Sequence, residues 1–245
     1  MLLIRSQFAN LVMYVTLFLW GLVMMPVAFW SRDGALWVIR KYCAFALWWF
    51  KVSCGLRSEI RGTVPVDEVL IVSKHMSFLD ILMIAGAVPR VKFIMKRELI
   101  WAPVLGIYAW RIGCPPVARG KKGGAIKQMV AHIEADAQKG HKGGQTVIFA
   151  QGTRVLPGVK APYKVGAGVL YTQMNQPAVP AATNCGVFWA RRSPYIKPGL
   201  AVVEFLDPIP PGLELRAFME KIEDVVESNS DRLMREAGFV FPDGE

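Results

Sequence analysis

His75 and Asp80 lie five residues apart in the run Ser73-Lys74-His75-Met76-Ser77-Phe78-Leu79-Asp80. An imidazole titrates near neutral pH, so it can take a proton from a hydroxyl group. A carboxylate beside it holds the ring and stabilises the imidazolium that forms. No serine or cysteine nucleophile stands out beside the pair. That points to direct attack by a substrate hydroxyl activated by His75, rather than to a covalent intermediate.

The elements that carry the pair decide whether it can meet. On one continuous helix, residues five apart diverge by about 140° around the axis. They converge if His75 sits in a loop and Asp80 in the first turn of the helix that follows. Val69-Leu70-Ile71-Val72 reads as a buried strand and Leu79–Ala87 as an apolar helix, which supplies that break. A second reading stays open here. Ser77-x-x-Asp80 also has the form of a capping box, in which Asp80 only satisfies backbone donors.

Beyond residue 56, short β-branched or aromatic runs alternate with helical stretches. Expected strands are Val69–Val72, Val91–Met95, Thr146–Phe149, Ala178–Ala182 and Ala201–Leu206. Expected helices are Leu79–Ala87, Leu99–Trp110, Gly124–Gln138, Val165–Gln173 and Leu213–Ala237. The alternation predicts an α/β fold, a mixed sheet flanked by helices. The Gly/Lys-rich stretches 120–124 and 139–144 read as loops.

Residues 1–55 differ. Phe8 to Trp30 is a 23-residue stretch without charge, long enough to span a bilayer and too long for a signal-peptide core. Pro26 is expected to kink it and Arg32-Asp33-Gly34 to end it. A second apolar stretch, Ala35 to Gly55, contains Arg40, Lys41 and Lys51, so it reads as lying in the membrane interface. Five of the eight tryptophans fall in these two segments, and tryptophan favours the lipid–water boundary. The expected organisation is therefore a membrane-anchoring helical pair over 1–55 and an α/β domain over 56–245. The sequence leaves open whether the first segment spans the bilayer or lies in one leaflet.

A net charge of +10 combined with a mean hydropathy of +0.32 fits a membrane-surface protein that meets anionic lipid or a phosphorylated substrate. The lack of a dense basic-aromatic module argues against nucleic acid. Cys43, Cys54, Cys114 and Cys185 form no Cys-x-x-Cys pair and no zinc spacing with His132 or His141. We expect no metal and no disulfide, as in a reducing, cytoplasmic setting.

Two basic stretches suit an anionic ligand. Gln151-Gly152-Thr153-Arg154 follows an expected strand; a glycine there allows close backbone approach, and a hydroxyl beside a guanidinium suits a phosphate. Arg119 precedes Gly120-Lys121-Lys122-Gly123-Gly124 at an expected helix N-terminus, which favours anions. The spacing is not that of a Walker A loop. Each stretch also reads as a solvated turn.

Taken together, these residues resemble the 1-acylglycerol-3-phosphate O-acyltransferases of the glycerolipid acyltransferase superfamily. His75-x-x-x-x-Asp80 resembles the first family motif. Lys96-Arg97-Glu98-Leu99, with Pro103, Gly106 and then Arg119, resembles the second. Phe149-Ala150-Gln151-Gly152-Thr153-Arg154 resembles the third, Phe-Pro-Glu-Gly-Thr-Arg, and Val179-Pro180-Ala181-Ala182 the fourth. The matches span residues 73–189 in the family's order.

The resemblance implies acyl transfer from a thioester to the sn-2 hydroxyl of a lysophosphatidic acid, giving phosphatidic acid for phospholipid synthesis. His75 is then general base, oriented by Asp80. Lys96, Arg119 and Arg154 are expected to hold the glycerol phosphate, with Gln151, Gly152 and Thr153 shaping its pocket. No cofactor is implied; acyl carrier protein or coenzyme A brings the acyl group as co-substrate. The expected location is the bacterial inner membrane, with the site on the cytoplasmic side. Ala150 and Gln151 depart from the third motif's proline and glutamate. The lost negative charge leaves open another lysolipid acceptor, such as a lyso-ornithine lipid or a lysophospholipid. A non-catalytic membrane adaptor is the reading from another class, and intact His75, Asp80 and Arg154 argue against it.

Overall fold

The chain was examined as a computed structural model that describes residues 1–117, 124–138 and 144–242. It opens with three helices, α1 (Leu2–Val23), α2 (Met25–Trp30) and α3 (Arg32–Cys54), followed by strands β1 (Leu56–Arg61) and β2 (Val69–Ser73). Helix α4 (Leu79–Ala87), strands β3 (Val91–Phe93) and β4 (Met95–Lys96), a 3₁₀ turn (Arg97–Trp101) and helix α5 (Leu105–Arg111) come next. Strand β5 (Pro116–Val117), helix α6 (Gly124–Gln138), strand β6 (Gln145–Phe149), helix α7 (Gly166–Met174), strand β7 (Ala178–Thr183), helix α8 (Cys185–Phe188), strand β8 (Gly199–Phe205) and helix α9 (Leu215–Glu236) complete it.

Six strands form one sheet in the order β1-β8-β7-β2-β6-β3, and β4 pairs with β5 apart from it. The sheet is mixed: β7 and β8 run antiparallel, and the other neighbours are parallel. β2 sits between β7 and β6 and is buried at every residue, as a strand covered on both faces must be. Val69 and Ile71 pack into the cluster built with α3 and α4, whereas Leu70 and Val72 pack into the one built with α7 and α9.

β6 is fixed at its start by Gln145. Its amide donates to the carbonyls of Val66 and Asp67, both at 2.8 Å, and accepts from Arg90 N–H at 2.9 Å. A buried amide satisfied on both sides defines where the strand enters the sheet.

The uncharged stretch from Phe8 to Trp30 is not one helix. Pro26, in the first turn of α2, has no N–H to give and crowds the preceding turn, and α1 ends two residues before it at Met24. Arg32-Asp33-Gly34, expected to end the segment, instead begins α3. Ser31 caps that helix, its Oγ accepting from Gly34 N–H at 2.8 Å. Gly55, left-handed at φ 70°, closes α3.

α1 and α3 lie antiparallel along their full length. Arg5 donates to Ser53 C=O, Trp49 Nε1 to Ala9 C=O at 3.1 Å, Tyr42 Oη to Met13 C=O at 2.5 Å, and Trp20 Nε1 to Val38 C=O at 3.2 Å. Both ends of α1 also touch the body. Ile196 N–H donates to Ser6 Oγ at 2.9 Å, and Tyr108 Oη to Gly21 C=O at 3.0 Å. Ala9 and Met13 share one apolar cluster with Ile71, Leu82 and Val203, so the helical pair and the sheet have a common core.

Candidate active site

Strand periodicity assigns the side chains where β2 and β6 end. Ser73 lies opposite Phe149 in the parallel register. Alternation sends Phe149 to the α4 face, and the next residues, Lys74 and Ala150, to the α9 face. His75 follows in a loop, and its ring stacks on Phe149 with centroids 3.9 Å apart and planes 16° off parallel. Val155 N–H donates to His75 C=O at 2.8 Å, which ties the loop after β6 to the loop after β2. The carboxyl ends of neighbouring parallel strands are where α/β sheets place ligands.

Asp80 is completely buried in the first turn of α4. Its Oδ2 lies 3.2 Å from His75 Nδ1 and accepts from Met76 N–H at 2.7 Å and from Ser77 N–H at 3.2 Å. Catalytic and capping readings of Asp80 therefore describe the same oxygen. A carboxylate facing Nδ1 selects the tautomer with the proton on Nδ1, so Nε2 keeps its lone pair. The histidine side chain is 13% exposed, enough for that nitrogen to be reached.

The loop after β6 carries Gly152, Thr153 and Arg154. Gly152 is left-handed at φ 65°, a conformation that favours glycine, and the Lys164 side chain packs over it. Arg191 donates to Thr153 Oγ1 at 3.2 Å and to Arg154 C=O at 3.3 Å. Lys164 and Arg191 thus lie against the Gly152–Arg154 loop, which Val155 ties to His75. Neither was singled out from sequence, because an isolated lysine or arginine far along the chain carries no local pattern.

Lys96 and Gln151 make other contacts. Lys96 is exposed and sits 3.6 Å from Glu98, and no hydrogen bond or ion pair joins it to the Gly152–Arg154 loop among the described residues. Arg119 lies outside the described residues, as does most of each Gly/Lys-rich loop. Gln151 is buried, and its Nε2 donates to Glu227 Oε1 on α9 at 3.1 Å. Its side chain is engaged inside the protein rather than open to a ligand, which gives it a supporting place in the geometry.

Among the described residues, no group of three His, Cys, Asp or Glu side chains could hold a metal ion. Burial pushes the Cys114 thiol up to about 12 and the Cys185 thiol well above its usual range. Thiols held protonated in this way are poor nucleophiles.

A family model described as "Acyltransferase" matches residues 57–184, more than half of the 245-residue chain and all of the geometry just described up to Asn184. The chain belongs to this acyltransferase family. It is similar to the 1-acyl-sn-glycerol-3-phosphate acyltransferase of Pseudomonas aeruginosa, 28% identical over 195 residues, which cover 77% of this chain and 74% of that protein. The human 1-acyl-sn-glycerol-3-phosphate acyltransferase alpha is 31% identical over 161 residues, covering 64% of this chain and 56% of the human protein, so this acyltransferase spans little more than half of that relative. Its fold matches the crystal structure of the 1-acyl-sn-glycerophosphate acyltransferase PlsC from Thermotoga maritima, with a TM-score of 0.78, 19% identity and 95% of each chain covered. The α/β architecture expected from the alternation of elements, a mixed sheet flanked by helices, is the one found.

Proposed function

We propose that this acyltransferase moves a fatty acyl group from a thioester to the sn-2 hydroxyl of 1-acylglycerol-3-phosphate, giving phosphatidic acid. The observation that carries the reading is the contact of His75 Nδ1 with buried Asp80 beside the cationic Gly152–Arg154 loop. The acceptor phosphate is held by Arg154 with support from Arg191 and Lys164. His75 Nε2 takes the hydroxyl proton as the oxygen attacks the thioester carbonyl. Asp80 stabilises the imidazolium that results. The tetrahedral intermediate then collapses, the C–S bond breaks, the ester forms, and the departing thiolate takes the proton back from Nε2. Acyl carrier protein or coenzyme A serves as donor.

The bilayer placement follows from the exposed apolar surface. Phe8, Leu11, Val15, Phe18 and Leu22 of α1 and Trp48 and Val52 of α3 face outward. α1 is apolar and long enough to cross a membrane, yet both of its ends are bonded to the body. A helix held flat along its length fits immersion in one leaflet rather than a span. A cytoplasmic leaflet gives access to both soluble donors.

The test is acyl transfer by purified, detergent-solubilised enzyme, with each thioester donor offered 1-acylglycerol-3-phosphate and, separately, other lysolipids. Phosphatidic acid formation, lost by about 10²- to 10⁴-fold in His75→Ala, is the expected result. Product from another lysolipid alone would keep the chemistry and reject this acceptor. No product with any acceptor, from folded protein, would reject the reading.

A further inference from the structure

Gln151 and Lys74 leave neighbouring strands and meet at one carboxylate on α9. Lys74 Nζ lies 2.5 Å from Glu227 Oε2, and the lysine side chain is 1% exposed. Glu227 Oε1 accepts from Gln151 Nε2 at 3.1 Å and from Tyr163 Oη at 2.9 Å. Burial first, and then the adjacent Glu227 charge, push the Tyr163 phenol far above its usual range, so it remains a donor. The hydrogen-bonded centre of the cluster is thus the Lys74–Glu227 pair, with two neutral donors on one carboxylate oxygen, and Asp231, Lys160 and Arg235 lie around it.

Position 151 is matched to this carboxylate by its neutral donor. A glutamate there would aim an acidic oxygen at Glu227 Oε1 and set two carboxylates in direct contact. Removing the Glu227 charge would break the hydrogen-bonded ion pair that the buried Lys74 makes, which is unfavourable. The glutamine that departs from the third motif and the glutamate on α9 are two halves of one arrangement. Its position is consequential as well. Lys74 directly precedes His75, and Gln151 directly precedes Gly152 and Thr153.

We propose that Glu227 is a positioning residue of the acyltransferase site, carrying the negative charge absent at position 151 and clamping the loops after β2 and β6 so that the acceptor phosphate is held in register with His75. The inference rests on the lysophosphatidic acid reading for its kinetic arm only. Glu227 acts through Lys74 and Gln151 and touches no substrate in this arrangement.

The experiment is a charge-exchange cycle in the full-length, detergent-solubilised enzyme: parent, Gln151→Glu, Glu227→Gln, and Gln151→Glu/Glu227→Gln. For each, kcat, KM for the acceptor, KM for the donor and the thermal midpoint are measured. Each single change is expected to raise the acceptor KM by about ten- to a hundredfold, leave the donor KM unchanged, and lower the midpoint by about 5 °C or more. The exchange is expected to recover most of both losses, since interacting sites are not additive. An exchange variant as impaired as the two single changes combined would overturn the proposal. So would single changes that lower kcat while neither KM moves, because that pattern describes a scaffold residue. If Gln151→Glu fails to fold, a folded exchange variant is itself the rescue, and an unfolded one counts against the idea. If the parent does not acylate lysophosphatidic acid, the proposed reaction falls and the midpoint cycle alone decides the coupling.

Discussion

At Asp80, one carboxylate oxygen accepts from two backbone N–H groups while facing His75 Nδ1. The backbone bonds fix the start of α4, and the histidine contact fixes the ring. Asp80→Asn is expected to separate these roles. An amide oxygen can still accept from Met76 and Ser77, so the thermal midpoint should move little. It lacks the negative charge that stabilises the imidazolium, so kcat should fall by about 10²- to 10⁴-fold. Steady-state kinetics beside a melting curve check both halves. His75 and Asp80 were legible because loop and helix follow each other within eight residues, a range at which local pattern decides geometry. Glu227 was not legible. It reaches Lys74 across 153 residues of chain, and in sequence it is one of several acidic residues on a polar helix. Gln151 was noticed for its missing charge, but only the fold reveals that the charge stands on another element.

Elements with a plain buried pattern were found close to their true bounds, as β2, α4 and β6 illustrate. The failures have specific causes. Leu99–Trp110 was expected as one helix and is instead a 3₁₀ turn, a break at Ala102–Val104, and α5. Pro103 drives the break, since it removes a donor and disfavours a helical residue before it. Val104 then takes φ 64°, costly for a β-branched residue. Gly106 permits the return, because a Cβ there would lie 1.9 Å from Ile100 C=O. Gly106→Ala is therefore expected to cost about 2–4 kcal/mol and lower the midpoint by roughly 5–10 °C in a thermal melt. β1 was missed because Leu56-Arg57-Ser58-Glu59-Ile60-Arg61 is polar; it is an edge strand, where charge on the open side discourages pairing with another chain.

For the molecule as a whole, the apolar N-terminal segments were recognised but their topology was not, since length and composition do not distinguish a spanning helix from one lying flat. The hydrogen bonds that pin α1 to the body at both ends are what support the proposed flat placement. An epitope tag ahead of Met1 and a thiol at Trp30→Cys are expected on the same side of sealed vesicles, read by a membrane-impermeant label. Appearance on opposite sides would reject the flat placement. The cluster at Glu227 has a further bearing on how the protein comes into being. The site is assembled from residues 73–80, 149–155 and 227, joined by parallel pairing and by a contact from the last helix. Such long-range closures are slow and late in folding. If Glu227 positions the two loops as proposed, a nascent chain has no fully clamped site until α9 has emerged and docked, so its first full-rate turnover reports that folding has finished.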